Sequence, residues 1–166
     1  MNMFNTSLCY LEKDNSYLML HRIKKENDIN HDKWIGIGGK FEVMESPEDC
    51  LKREALEETG LTLHSWRYCG IVTFIQNNSL TEYMHLFWSD DFSGQLLECD
   101  EGVLEWYPKS RIRELNLWEG DLIFHKLMDE KRPFFSLKLH YEEDTLLEAF
   151  LDGQALRRVS FGNWSL

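Results

Sequence analysis

With 166 residues, 43% of them apolar and with six Trp and ten Phe, the chain can build one domain with a well-filled core. A formal charge of -11 argues against a polyanion such as duplex DNA, or an anionic membrane, as partner. A free nucleotide, whose phosphates arrive with metal ions, is not excluded. Cys9, Cys50, Cys69 and Cys99 lie far apart with no C-x-x-C pair, so they read as reduced thiols of an intracellular protein without a zinc site. The N-terminus shows no basic region followed by an apolar run, and no stretch is apolar enough to span a bilayer. The cytoplasm is the expected compartment.

In chain order, Ser7 to Leu11 and Tyr17 to His21 read as short strands joined by the polar turn Glu12-Lys13-Asp14-Asn15. The charged segment Lys24 to Lys33 reads as a mobile loop at the rim of a cleft. Trp34-Ile35-Gly36-Ile37-Gly38-Gly39-Lys40 then packs three glycines into a strand edge, where a ligand or metal can approach the main chain closely. A helix follows. Ser46 suits its cap, Pro47 its first position, Glu48 and Asp49 its first turn, and Gly60 the left-handed residue past its end.

At about 100° per residue, Pro47, Leu51 and Ala55 form an apolar stripe on that helix, with Glu58, Glu54 and Glu57 along one edge. Like charges at this spacing repel, and partial burial adds a desolvation cost. Arg53 can pair with Glu57 one turn on but cannot neutralise all three. A hard divalent cation can, and clustered carboxylates suit magnesium or manganese. A solvated acidic helix face is the plainer reading of the helix taken alone.

Beyond the helix, Ser65 to Gln76 and Thr81 to Trp88 read as strands joined through Asn77-Asn78-Ser79. The second has Met84, Leu86 and Trp88 on one face and Tyr83, His85 and Phe87 on the other, so it reads as a central strand with His85 a hydrogen-bonded core residue. Asp90 to Gly94 reads as a loop, Gln95 to Leu97 as a short strand, Glu98 to Gly102 as an acidic turn and Val103 to Tyr107 as a strand. Pro108 to Leu115 suggests a short helix, and Trp118-Glu119-Gly120-Asp121 opens a longer one to about Glu130. Phe134 to Tyr141 and Thr145 to Phe150 close as a hairpin through Glu142-Glu143-Asp144. Residues 1–151 make the expected domain. The tail 152–166, with Arg157-Arg158 and two late aromatics, carries no assigned element.

The run from Gly39 through Glu45, Arg53-Glu54-Ala55, Glu57-Glu58 and Gly60-Leu61 resembles the Nudix box at every fixed position, Ala55 being a small residue for its aliphatic place. From average residue usage, a chance match has odds on the order of one in ten million. The resemblance implies an α/β fold, an α/β/α sandwich with a central mixed β-sheet, and cleavage of a phosphoanhydride by metal-activated water. It implies Glu54, Glu57 and Glu58 as metal ligands, completed by the Gly38 or Gly39 carbonyl region. Arg53 would orient the carboxylates and Glu45 would support them. Magnesium (or manganese) is the implied cofactor, and a carboxylate takes the proton from the attacking water.

Outside the box the chain resembles the MutT-type diphosphatases of oxidised purine nucleoside triphosphates, which release a nucleoside monophosphate and pyrophosphate. The residues are Lys33 to Lys40, Cys99-Asp100-Glu101, Leu117 to Asp121, Pro133 to Leu139 and Asp144 to Leu147. That resemblance implies Trp118 against the base, Asp121 on its edge, and Glu101 as a further carboxylate near the metals, ligand or base. Trp34, Ile35, Arg22 and Lys40 are further candidate substrate contacts. Trp118 also fits plain core, Asp121 a helix cap and Glu101 a solvated turn. Some relatives have Asn at the place of Ile35 and a second Asp at Gly120, and their absence leaves Asp121 as the main polar reader of the base. The expected partner is a nucleoside triphosphate, with the protein a monomer or homodimer. The alternatives are hydrolysis of ADP-ribose, a nucleotide sugar or a dinucleoside polyphosphate, or a non-catalytic nucleotide sensor.

Overall fold

The computed structural model describes residues 2–166. The elements are β1 (Asn2–Lys13), β2 (Ser16–His21), β3 (Trp34–Ile35), β4 (Ile37–Lys40), α1 (Pro47–Thr59), β5 (Leu61–Gln76), β6 (Leu80–Gly94) and β7 (Val103–Pro108). A 3-10 turn (Lys109–Glu114) leads to α2 (Glu119–Asp129), β8 (Phe135–Glu142), β9 (Thr145–Leu151), β10 (Gln154–Ala155), β11 (Arg157–Ser160) and β12 (Asn163–Ser165). This is a mixed α/β fold, with a ten-stranded mixed sheet and a two-stranded one among the described residues.

The chain divides into two compact units. One holds Ser7–Arg67 and Phe87–Leu117, the other Tyr68–Leu86 and Trp118–Leu166 with the first few residues. In the first unit, β2 pairs antiparallel with β1, β3 and β7. Its run Tyr17 to Leu20 is at most 2% exposed, so both faces of this strand are covered. The β1–β2 turn has Asp14 at φ 51° and Asn15 at φ 58°, the left-handed pair that a two-residue hairpin requires and that Asp and Asn tolerate. Helix α1 lies on β4 and buries Cys50, Leu51 and Ala55.

In the second unit, β8 shows the period of two expected of a half-covered strand: Phe135, Leu137, Leu139 and Tyr141 are buried, and Ser136 and Lys138 are exposed. It pairs parallel with β5, Val72 opposite Leu137, and antiparallel with β9, Leu139 opposite Ala149. Helix α2 packs on β9 and β12 and is buried almost all round, so that Phe124, Leu127 and Met128 join the core.

The segment 90–97 departs from its sequence reading. Asp90 to Gly94 is strand rather than loop, because its polar side chains find partners along the start of β5. Ser65 Oγ donates to Asp91 Oδ2 at 2.8 Å, and His64 meets Ser93 Oγ at 2.7 Å. Gln95 to Leu97 is not a strand, since the Leu97 N–H turns to the Thr59 carbonyl at the end of α1. The tail beyond Asp152 folds as β10 and the β11–β12 hairpin. Among the described residues no helix is long and apolar enough to cross a membrane.

Met44 stands between β4 and α1 at φ 71° with 96% of its surface exposed. The left-handed conformation costs a side-chain-bearing residue about 1 kcal/mol, and this side chain gains little contact in return. Met44→Gly is expected to raise stability by about 0.5–1 kcal/mol, read as a higher urea midpoint at unchanged m-value.

Candidate active site

The rotation of α1 is set at both ends. Ser46 Oγ accepts the Asp49 N–H at 3.1 Å, Asp49 Oδ2 accepts the Ser46 N–H at 3.0 Å, and Gly60 closes the helix at φ 79° with its N–H on the Leu56 carbonyl. With Leu51 and Ala55 directed into the core, Glu58 is buried, Glu54 lies at the margin and Glu57 is outside, its side chain 59% exposed. The three glutamates therefore occupy three different environments.

Arg53 gathers the acids around it. Its Nε and Nη2 bond the two oxygens of Glu45 at 2.7 and 2.9 Å, a bidentate fork, while Nη1 reaches Glu54 Oε1 at 2.7 Å and Glu57 Oε2 at 3.2 Å. Nη2 also donates to the Lys40 carbonyl at 3.0 Å, which ties β4 to the helix. The guanidinium holds the Glu45 carboxyl down at about 2. Glu54 in turn rests against the α-carbon of Gly39, where an added Cβ would meet its Oε1 at 2.6 Å. Close approach, rather than an unusual φ, is what requires glycine there.

Because the folded pKa of Glu45 is depressed, its contribution to stability is complete above the ordinary carboxyl range and disappears as the pH falls through about 2. Discounted for solvent screening, it amounts to about 1 kcal/mol. Urea midpoints taken at pH 5 and pH 2.5 are expected to show a smaller acid loss for Glu45→Gln than for the wild type.

Glu58 is the unusual member. It is 6% exposed; Oε1 accepts the Gly38 N–H at 3.0 Å, and Oε2, fully buried, has no hydrogen-bond donor. Burial first, then the charges of Glu101 and Glu54, push its pKa up to about 9. Glu101 is held from the loop side, by Arg22 Nη1 at 2.7 Å and Lys25 Nζ at 3.6 Å. Arg22 is aimed by Asp28, whose Oδ2 takes its Nε–H at 2.6 Å while Oδ1 takes the Asn30 N–H at 3.0 Å. Burial opposes the Arg22 charge, but the Asp28 bond and the charges of Glu101, Asp28 and Glu58 outweigh it and raise its pKa. Lys24 Nζ donates to the Cys99 carbonyl at 2.7 Å. The segment read as a loose rim is thus folded around Arg22 and fastened to the acidic turn.

A buried carboxylate oxygen without a donor, beside two further carboxylates, is a donor set that fits a hard divalent cation. Among the described residues, however, no three His, Cys, Asp or Glu side chains converge as a formed metal cage. Like charges repel, and Arg53 draws Glu54 and Glu57 to itself. The Gly38 main chain enters the site through its N–H to Glu58, and the Gly39 carbonyl accepts from Cys50 Sγ at 3.4 Å.

Trp34 stacks on His21, centroids 4.3 Å apart and planes at 7°, and leans on Tyr107 at 6.0 Å. His21 is fixed by Asp32 at 2.9 Å. Ile35, the next residue of the strand, points to the opposite face, so Trp34 and Ile35 do not share one surface. Lys40 ends β4 at the surface.

In the other unit Trp118 is 3% exposed and meets Phe74 and Tyr141 edge-on, at 5.1 Å and 5.0 Å. It is the N-cap of α2 and makes no side-chain cap bond, so Asp121, buried at the third helical position, is not the cap. The Gly120 N–H donates to the Tyr141 hydroxyl at 2.8 Å. Burial, followed by the nearby charge of Asp121, pushes the Tyr141 pKa up. Sequence reading did not single out Asp28, Tyr141 or Glu119. The partners of Tyr141 and Glu119 lie far along the chain, and Asp28 acts through Arg22, whose other partner Glu101 is equally distant, so no short-range pattern signals them.

The fold and the acidic helix with its glycine approach define a Nudix protein: the NUDIX domain model matches residues 2–128, and the chain belongs to the Nudix hydrolase family. It is similar to the oxidized purine nucleoside triphosphate hydrolases of Danio rerio, 31% identical over 130 residues (77% of this chain, 83% of the relative), and Mus musculus, 30% identical over 125 residues (74% and 80%). Among solved structures it resembles the mutator MutT protein from Bacillus halodurans at TM-score 0.79 and 26% identity, covering 91% of this chain and 99% of that one. Nudix hydrolases generally use divalent metal cations.

Proposed function

We propose that this Nudix hydrolase cleaves purine nucleoside triphosphates, oxidised forms such as 8-oxo-dGTP among them, to the nucleoside monophosphate and pyrophosphate with magnesium or manganese. The observation that carries the reading is the buried Glu58 oxygen that no donor satisfies, flanked by Glu54 and Glu101. The similarity to the zebrafish and mouse enzymes supports the substrate class.

Glu54, Glu57 and Glu58, with the Gly38 main chain beside them, would hold the metal. The bound cation supplies charge at the phosphates and lowers the pKa of a coordinated water. Arg53 keeps Glu54 and Glu57 at the same edge of the helix and spares them part of their mutual repulsion. Water attack forms one P–O bond and breaks the bridging one, and pyrophosphate leaves. The proton of that water goes to a carboxylate that solvent reaches, for which Glu57 and Glu101 are the candidates, at 59% and 30% side-chain exposure. Arg22 holds Glu101 in place through its Nη1, and Asp28 occupies the Arg22 Nε. Trp118 and Asp121 take the base. Trp34, Ile35 and Lys40 are further candidate substrate contacts, with Trp34 stacked on His21.

A hydrolysis panel with product identification tests this: 8-oxo-dGTP, dGTP, ADP-ribose and nucleotide sugars with magnesium, each repeated with chelator. Monophosphate and pyrophosphate from the purine triphosphates, lost with chelator, are expected. Preference for ADP-ribose or a sugar nucleotide would displace the substrate assignment.

A further inference from the structure

The tail beyond residue 151 lies outside the matched family segment 2–128, yet it makes a three-bond polar contact within its unit. Glu119, the first residue of α2, is 5% exposed. One of its oxygens, Oε2, accepts three hydrogen bonds, all from the β11–β12 hairpin: Arg158 Nε at 3.2 Å, the Gly162 N–H at 2.9 Å and Trp164 Nε1 at 2.9 Å. A carboxylate is buried at this depth only when donors replace water. A lone two-stranded ribbon is marginal by itself, so this docking also holds the hairpin in place.

The position of this anchor matters. The N-cap of α2 is Trp118, which has no cap bond to offer, whereas helix starts are ordinarily fixed by Ser, Thr, Asp or Asn. Here the helix start is fixed from outside, by the hairpin on Glu119 and by Tyr141 on the Gly120 N–H. Gly120 leaves no slack, because a Cβ would meet Leu139 Cδ1 at 2.4 Å and the Tyr141 hydroxyl at 2.7 Å. Trp118 and Asp121 flank these two tied residues, and the Asp121 N–H bonds the Trp118 carbonyl at 3.0 Å.

We propose that the C-terminal hairpin is a specificity element: through the positioning residue Glu119 it fixes the turn that carries Trp118 and Asp121, and so sets the affinity for the base. This rests on the reading above that those two side chains contact the base. The hairpin acts on binding, so its loss raises KM and leaves kcat in place.

The test is the double variant Arg158→Ala with Trp164→Phe, the single Trp164→Phe as a milder form, and Arg158→Lys as the conservative control. Hydrogen exchange over 119–124, the melting temperature, and KM and kcat for 8-oxo-dGTP and dGTP are measured in each. The double variant is expected to exchange about tenfold faster there and to raise KM about tenfold, with kcat within about twofold. Trp164→Phe falls between, and Arg158→Lys stays near wild type. Unchanged KM in the double variant, or a parallel fall of kcat with global melting, overturns the proposal. Trp118→Ala tests the reading beneath it: unchanged KM in that variant removes the base assignment, whatever the hairpin variants do.

Discussion

Glu58→Gln is expected to yield a protein that melts higher than the wild type and turns over about a thousandfold more slowly. The two effects have one cause. The Glu58 carboxyl is buried, its Oε2 has no donor, and Glu101 and Glu54 stand close by, so its charged form is disfavoured and its pKa rises to about 9. Glutamine keeps an oxygen for the Gly38 N–H, removes the charge and offers an amide donor toward the flanking carboxylates. A gain of about 1–3 kcal/mol follows in the presence of chelator. The same neutrality removes a metal ligand. Glu57→Gln gives the contrast: its side chain is 59% exposed and bonded to Arg53, so loss of turnover without a gain in stability is expected. Calorimetry with chelator, alongside initial rates with magnesium, separates the two. Full activity in Glu58→Gln would sink the metal assignment.

The box helix was legible residue by residue because everything that specifies it is local. Its cap, its proline, its left-handed glycine and its apolar stripe all lie within fifteen or so residues, and the structure has each where the spacing put it. The β8 strand was legible for the same reason, expected over Phe134 to Tyr141 and found at Phe135–Glu142. What was not legible depends on partners distant in sequence. Asp90 to Gly94 carries loop composition but becomes strand through Ser65 and His64. Asp28 looks like one charge in a polar loop until the fold brings Glu101 to Arg22, the residue that Asp28 holds from its other side. Glu119 reads as an ordinary acid in the first turn of a helix. Its three donors arrive from residues 158, 162 and 164, and no periodicity connects them. The different burial of Glu54, Glu57 and Glu58 is likewise a tertiary result, since helix geometry alone places them only along one edge.

Arg53→Lys is the second substitution expected to have a large effect, though charge is conserved. The guanidinium meets Glu45 with two parallel bonds while its Nη1 serves Glu54 and Glu57 and its Nη2 also reaches the Lys40 carbonyl. An ammonium is a point charge without that planar fork, so it can satisfy one carboxylate well and the others poorly. Glu54, packed against Gly39 with its side chain 15% exposed, cannot turn fully to water in compensation. A loss of about 2–3 kcal/mol in stability is expected, with kcat lower by about a hundredfold as Glu54 and Glu57 separate. The Glu45 carboxyl, released from about 2, should titrate nearer the ordinary range, which carboxyl-carbon NMR can follow directly. A double-mutant cycle of Arg53→Lys with Glu45→Gln then apportions the effect. Coupling of about 1–2 kcal/mol in stability but none in kcat would make the fork a brace for the loop before the helix. Coupling in kcat as well would make Glu45 a working part of the site, acting through the arginine on the carboxylates that carry the chemistry.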